Sequence, residues 1–330
     1  MTAVGAANPQ RTKGPLGRFF GQGPKKPKTD VRRRIGERPW TPYLFLLPHF
    51  LLFSIFILYP FVLGLWMSLH DSTGIRPGPF VGLAQYEKIF NPESIHFGRY
   101  WNTVWNTIIF VILSTPLLVG VGLVLATLLN QKLRARNIFR AIYFVPWTLS
   151  VSVIALTWWW LFNSNAGFIP GIIAELAGSS PQFLATNPFA WIAILVATLW
   201  WTIGFNTIIF LAGMQGISAD LYEAAAVDGA NRWQQFRHIT IPSLRPILLL
   251  VVTLQIIASF QLVGQPQLMT GGGPASSLGG ETTPVLLHVY NTAFQGRREI
   301  SFGAAMAIVV AAIMIVVSIV NFRLFSSERA

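Results

Sequence analysis

The chain has 330 residues, 53% hydrophobic and 11% charged, with a formal net charge of +12, 12 Trp, 25 Phe and no Cys. A soluble chain carries about 25% charged residues, so too few polar groups are present here to cover the apolar ones. An ordinary soluble enzyme, a disulfide-framed secreted domain, thiol catalysis and Cys-ligated metal are excluded, and the composition is that of a polytopic membrane protein.

Residues 1–40 carry ten Lys or Arg among Gly and Pro with few large apolar side chains, which predicts a disordered basic tail. The apolar run behind it is far longer than the roughly 7–15 residues of a signal-peptide core and ends without a small-residue cleavage site. The tail is therefore expected to stay attached. Residues 41–330 read as one transmembrane domain. Six stretches free of Asp, Glu, Lys and Arg predict spans at 43–69, 103–129, 141–163, 189–213, 246–264 and 301–322. About 20 helical residues rising 1.5 Å each cross a hydrocarbon core of about 30 Å. The runs are continuously apolar rather than alternating, so helices are expected and a barrel is not. The fold class is an all-α membrane protein of six transmembrane helices. Pro48, Pro60, Pro116 and Pro146 fall inside these spans, where neighbouring helices can absorb a kink.

Charge orients the chain. Of the 24 basic residues, 19 lie in the two termini, the second–third loop and the fourth–fifth loop, and 5 in the other three loops. The positive-inside bias then places both termini in the cytoplasm. This pattern sets topology and attracts anionic membrane lipid; nucleic acid is not expected as a partner.

Catalytic chemistry is sparse. No Gly-rich run ends in Gly-Lys-Ser/Thr, so a phosphate cradle is missing. Gly271-Gly272-Gly273-Pro274 lacks a lysine and reads as a turn. The five His are scattered without i, i+4 pairing, so no metal site is expected, and no cofactor is implied. All 12 acids fall outside the spans, which leaves an intramembrane carboxylate relay unsupported.

The loop 214–245 is the most informative stretch. Asp220 and Glu223 have capping-box spacing, so a helix is expected from Leu221. Ala224, Ala225 and Ala226 favour helix and leave a thin, approachable surface. Gly229, after Asp228, permits the left-handed conformation at the helix end. Asn231 can cap a second short helix, with Pro242 expected to end it. Two readings stay open: a small-residue knuckle presented to the cytosol, or an amphipathic loop packed on its own bundle.

Tyr222-Glu-Ala-Ala-Ala-Val-Asp-Gly-Ala-Asn-Arg-Trp-Gln-Gln-Phe236, followed by Ile239-Thr-Ile-Pro242, resembles the EAA loop of binding-protein-dependent ABC importer permeases. The likeness is to the carbohydrate class, that of maltose and glycerol-3-phosphate. Phe80-Val-Gly-Leu-Ala-Gln-Tyr86, Arg140-Ala-Ile-Tyr-Phe-Val-Pro146-Trp, Phe260-Gln and Met269-Thr-Gly-Gly-Gly-Pro274 are similar to that family in the same order. The resemblance implies a type I permease bundle in the bacterial inner membrane, not itself an enzyme, with ATP hydrolysis on a separate subunit. Its implied partners are a second homologous permease, a dimer of ABC ATPases, an extracytoplasmic sugar-binding protein and a carbohydrate substrate. Glu223, Ala224, Ala225, Asp228 and Gly229 are the implied ATPase-coupling residues. The basic tail departs from the shared core.

Sugars are read by hydrogen bonds to hydroxyls and by aromatic faces. The fourth span offers Trp200, Trp201, Thr202, Phe205 and Asn206, and the fifth Gln255, Ser259, Phe260 and Gln261; of these, Thr202, Phe205, Asn206, Gln255, Ser259 and Gln261 are the candidate substrate-pathway residues. Gln255 and Ser259 are four apart and share a helix face, with which Gln261 aligns less well. The same polar groups can instead bridge helices. A self-contained secondary transporter or channel is the alternative, but the spans carry no charge or pore ring. A membrane transferase on lipid-linked sugar would need a carboxylate or His cluster at one interface.

Overall fold

The structure, a computed structural model, describes residues 41–72, 78–131, 136–276, 279–295 and 298–326. The expected disordered tail lies outside the described residues. The chain divides into two units, Met1–Pro60 and Phe61–Ala330.

In the first unit, α1 (Thr41–Phe53) runs into a widened turn, Ser54–Leu58, in which the Tyr59 amide donates to Ser54 rather than one residue nearer. The helix α2 (Tyr59–Met67) follows. Pro60 has no N–H to give to Phe56, and its ring would strike that carbonyl, so the preceding turn opens.

The second unit continues with α3 (Ala84–Phe90), α4 (Ile95–Leu129), α5 (Arg136–Phe144), a 3₁₀ turn at Val145–Thr148, α6 (Val151–Phe162) and α7 (Phe168–Ala177). Next come α8 (Phe189–Gln215), α9 (Ala219–Val227), α10 (Arg232–Gln235), a widened turn at Phe236–Thr240 and α11 (Ile241–Phe260). The unit closes with α12 (Gly264–Met269), a two-residue antiparallel ladder of Ala275–Ser276 with Gly279–Gly280, α13 (Val285–Phe294) and α14 (Ile300–Ser326). Among the described residues five helices are long and apolar enough to cross a membrane, or six if one bent pair counts as a single span.

That bent pair falls on the expected third span, 141–163. Its two halves, Asn137–Thr148 and Val151–Phe162, meet at 99°. Pro146 falls in the 3₁₀ turn and Ser150 caps the second half by accepting from the Val153 amide, so the chain turns rather than kinks. The second span begins earlier than 103 because α4 starts at Ile95, where Ser94 caps it by accepting from the His96 amide. The fifth ends before 264: α11 stops at Phe260 and Gly264 opens α12.

The packing centres on α4, α8 and α11. Without a water-driven hydrophobic effect between membrane helices, close backbone approach has to supply the contact. Gly122 on α4 gives that approach: a methyl built there would sit 2.9 Å from the Cβ of Asn206 on α8. Gly204 on α8 faces the Tyr143 carbonyl so closely that a side chain would overlap it. This contact seats the bend of the third span on α8. Phe110, Ala155, Ile194 and Met269 are buried in one cluster beside that bend.

Candidate functional site

A cavity of about 370 Å³ opens where α4, α6, α8, α11 and α12 converge. Its walls are uncharged throughout. Thr198 and Thr202 on α8 each donate to the carbonyl four residues back, at 2.8 Å, so their hydroxyl oxygens face outward as acceptors. Gln255 accepts at Oε1 from Asn206 Nδ2 at 3.2 Å, which leaves its own NH₂ as a donor. Ser259 shares a 3.0 Å hydrogen bond with Ser114 of α4. Gln261 also lines the cavity, because α11 ends at Phe260 and the chain turns there.

One wall is aromatic. Trp147, in the 3₁₀ turn, stacks on Phe205 with ring centres 4.7 Å apart and planes 19° from parallel. Trp201 lies 5.6 Å from Trp147 and donates its indole N–H to the Leu149 carbonyl at 3.2 Å. Trp147 and Trp201 both line the cavity. A tryptophan face beside hydroxyl acceptors and amide donors matches a sugar ring, which has apolar C–H faces and polar edges.

Of the residues singled out in the sequence, Trp201, Thr202, Gln255, Ser259 and Gln261 line the cavity directly. Asn206 sits one hydrogen bond behind Gln255, and Phe205 supports Trp147 from behind. Trp200 makes an edge contact with Trp158 instead, at 5.9 Å. Sequence reasoning missed Phe110, Trp147, Thr198 and above all Gln265 as lining residues. Gln265 on α12 is only 3% exposed, lines the cavity and makes no side-chain hydrogen bond to another described residue. A polar pair, Gln265 and Gln267, flanking Pro266 just beyond an apolar run was the available signal.

The second candidate surface is the α9–α10 pair. Ser218, not Asp220, caps α9: its hydroxyl accepts from the Asp220 amide, so the helix begins at Ala219 rather than Leu221. Gly229 has φ +81°, the left-handed conformation expected of it. Asn231 and Gln234 form a reciprocal capping box on α10. Pro242 does not end that helix. It lies in the first turn of α11, after a widened turn closed by the Ile241 amide donating to Phe236. An absent N–H costs nothing there, as at a helix start.

No residue of α9 is buried, and Glu223, Ala224, Asp228 and Gly229 are exposed, with Ala225 half-buried. Val227 is 88% exposed and Trp233 66%. A cleft between the two helices is lined by Ala225, Asp228, Gly229 and His238, among others. Tyr222 bonds Thr240 through their hydroxyls at 2.9 Å, tying the pair to the root of α11.

The family described as "Binding-protein-dependent transport system inner membrane component" matches residues 119–327. The trehalose/maltose transport system permease protein MalF of Thermococcus litoralis is 33% identical over 87% of this chain and 94% of its own length. The lactose transport system permease protein LacF of Rhizobium radiobacter is 31% identical, over 92% and 97%. A crystal structure of a bacterial alginate ABC transporter, in complex with an alginate pentasaccharide-bound periplasmic protein, superposes with a TM-score of 0.71 at 23% identity. The match covers 86% of this chain and 96% of that one and shows the shared fold.

Proposed function

Because the chain belongs to the inner membrane components of binding-protein-dependent transport systems, we propose that it forms half of the translocation pathway of an ATP-driven carbohydrate importer. In this reading the knuckle from Ala219 to Gln235 couples the bundle to a separate ATPase. The other parts are a second homologous permease, a dimer of ABC ATPases and an extracytoplasmic sugar-binding protein. Both termini and the knuckle are assigned to the cytoplasm from the distribution of basic residues.

The observation that carries the coupling role is the uncovered state of α9. Its apolar Leu221 and Val227 are 51% and 88% exposed, on a helix whose Ala face and left-handed Gly229 permit close approach. An ATPase groove that receives this pair can move α11 through the Tyr222–Thr240 bond and rock the bundle between two states. Glu223, exposed in the first half of the knuckle, is placed to meet basic groups there.

The cavity supports an uncharged sugar as cargo. Its lining holds hydroxyl acceptors, amide donors and an indole face and no ionisable side chain among the described residues. A phosphate or carboxylate would be left without a countercharge from this chain.

The test is a reconstituted complex carrying Glu223→Ala or Gly229→Asp. ATP hydrolysis is expected to lose its link to uptake, or the ATPase to dissociate, while the chain still elutes as a single folded species. Full assembly with full substrate-stimulated hydrolysis and uptake would overturn the coupling role.

A further inference from the structure

A second cavity, of about 580 Å³, lies beyond the end of α12. That volume is within the roughly 300–1,000 Å³ of small-molecule sites. Two helix faces oppose one another across it. Arg99 and Thr103 are four apart on α4, and His288, Asn291 and Thr292 fall at i, i+3 and i+4 on α13, so each set shares one face. Gly271–Gly273 supply the floor. Arg99, His288, Asn291 and Thr292 make no side-chain hydrogen bond to another described residue.

The floor is held in place by its surroundings. Gly271 and Gly272 have φ of +64° and +85°. The Thr283 hydroxyl donates to the Gly272 carbonyl at 2.9 Å, and the Thr282 amide to the same carbonyl at 3.2 Å. Asn106 of α4 donates to the Thr283 carbonyl at 3.2 Å, which fixes the segment to the bundle. The two cavities also share a partition. Gly264 and Gln265, at the start of α12, line the first, and Thr270–Gly273, just past its end, line the second.

We propose that this second cavity is an outer subsite for an uncharged saccharide, occupied before the sugar reaches the inner cavity. The proposal rests on the importer reading and on its orientation, which puts α13 on the extracytoplasmic side. A polyol offers a donor and an acceptor at every hydroxyl, and unpaired groups of both kinds face each other here. Burial, then the nearby Arg99 and His96, pushes His288 down to about 4, so the imidazole is neutral at physiological pH and both donates and accepts. Arg99 is exposed and solvated, so it can fork two vicinal hydroxyls without demanding an anion.

The chain has no Cys, so Thr292→Cys gives a single thiol reporter. The full chain in lipid nanodiscs is labelled with a small methanethiosulfonate reagent in the presence of maltose, trehalose or lactose, or of glucuronate or glucose 6-phosphate. A neutral sugar at ten times its Kd should slow labelling about tenfold. Protection should persist in a Gln255→Leu background and disappear with Asn291→Leu or Arg99→Met in chains that elute as folded. Protection that vanishes with Gln255→Leu, or that is stronger with the two anions, overturns the outer site. So does its absence for a sugar that the reconstituted complex imports, a result that leaves the importer reading standing. A complex that imports none of a broad sugar panel removes that reading and this one together.

Discussion

Asn206 on α8 donates through Nδ2 to Oε1 of Gln255 on α11 at 3.2 Å, and the two residues are 2% and 6% exposed. The bond joins two spans directly behind a cavity wall, so it holds the helices together and aims the Gln255 amide. The Gln265 side chain, by contrast, faces the same cavity with no hydrogen bond to another described residue. The two positions separate packing from recognition. Asn206→Ala strands a buried carbonyl oxygen at a cost of about 1–3 kcal/mol, and should lower both thermal stability and uptake. Gln265→Ala has no such bond to lose. Uptake at subsaturating sugar should fall roughly 5–100-fold, the range that 1–3 kcal/mol spans, with the melting temperature unchanged. Normal uptake in Gln265→Ala would remove it from the pathway.

Gly204→Ala should destabilise the bundle. The added methyl meets the Tyr143 carbonyl, and overpacking of this kind costs about 1–3 kcal/mol. Gly171→Ala is the control, since nothing lies within 4 Å of its built Cβ. Fluorescence-detected elution after a heat step should separate the two, and equal survival would mean that α8 does not press on the bend.

Stability should depend on pH through His288. Folded, it takes its proton near 4, against a reference of 6.5, because burial and Arg99 oppose the charged form. Between these values the unfolded chain binds more protons, so stability falls as pH drops from 6.5 to 4 and levels off below. Thermal unfolding at pH 7.5 and 5 should show a smaller difference in His288→Gln than in the parent chain. An undiminished difference would assign the dependence to other groups.

Topology is open to the same Cys-free background. Lys88→Cys and Arg232→Cys should react with impermeant reagents from opposite faces of oriented vesicles. Reaction of both from one face would contradict the orientation drawn from the basic residues.

The long apolar runs and the knuckle could be read from sequence because each rests on local chemistry: absence of charge over a bilayer's thickness, alanines in a row, a glycine where φ turns positive. Reading failed where a partner distant in sequence decides. That the chain turns a corner at Pro146 goes with Gly204 packing against the backbone of Tyr143 and Phe144 just before it, about sixty residues away in sequence. The start of α4 was hidden by Arg99, which interrupts the charge-free run without interrupting the helix. Ser218 displaced Asp220 as the cap because the serine hydroxyl reaches the Asp220 amide first, a choice between neighbours that spacing alone leaves open. Ser259 could be placed on the Gln255 face, but its bond to Ser114 could not, since α4 lies 145 positions earlier.

The widened turn at Phe236–Thr240 also decides how the knuckle is geared to α11. It holds one residue more than an α turn, and absorbing that residue would swing everything beyond it by about 100° and shift it by about 1.5 Å. Pro242 prevents this, since it has no N–H for the His238 carbonyl and its ring needs the space in front of it. The Tyr222–Thr240 bond fastens the same point from the side. In the proposed coupling the proline serves as a locknut: torque applied at the knuckle would travel up α11 without slipping phase, and Gln255 would keep facing the cavity throughout the stroke.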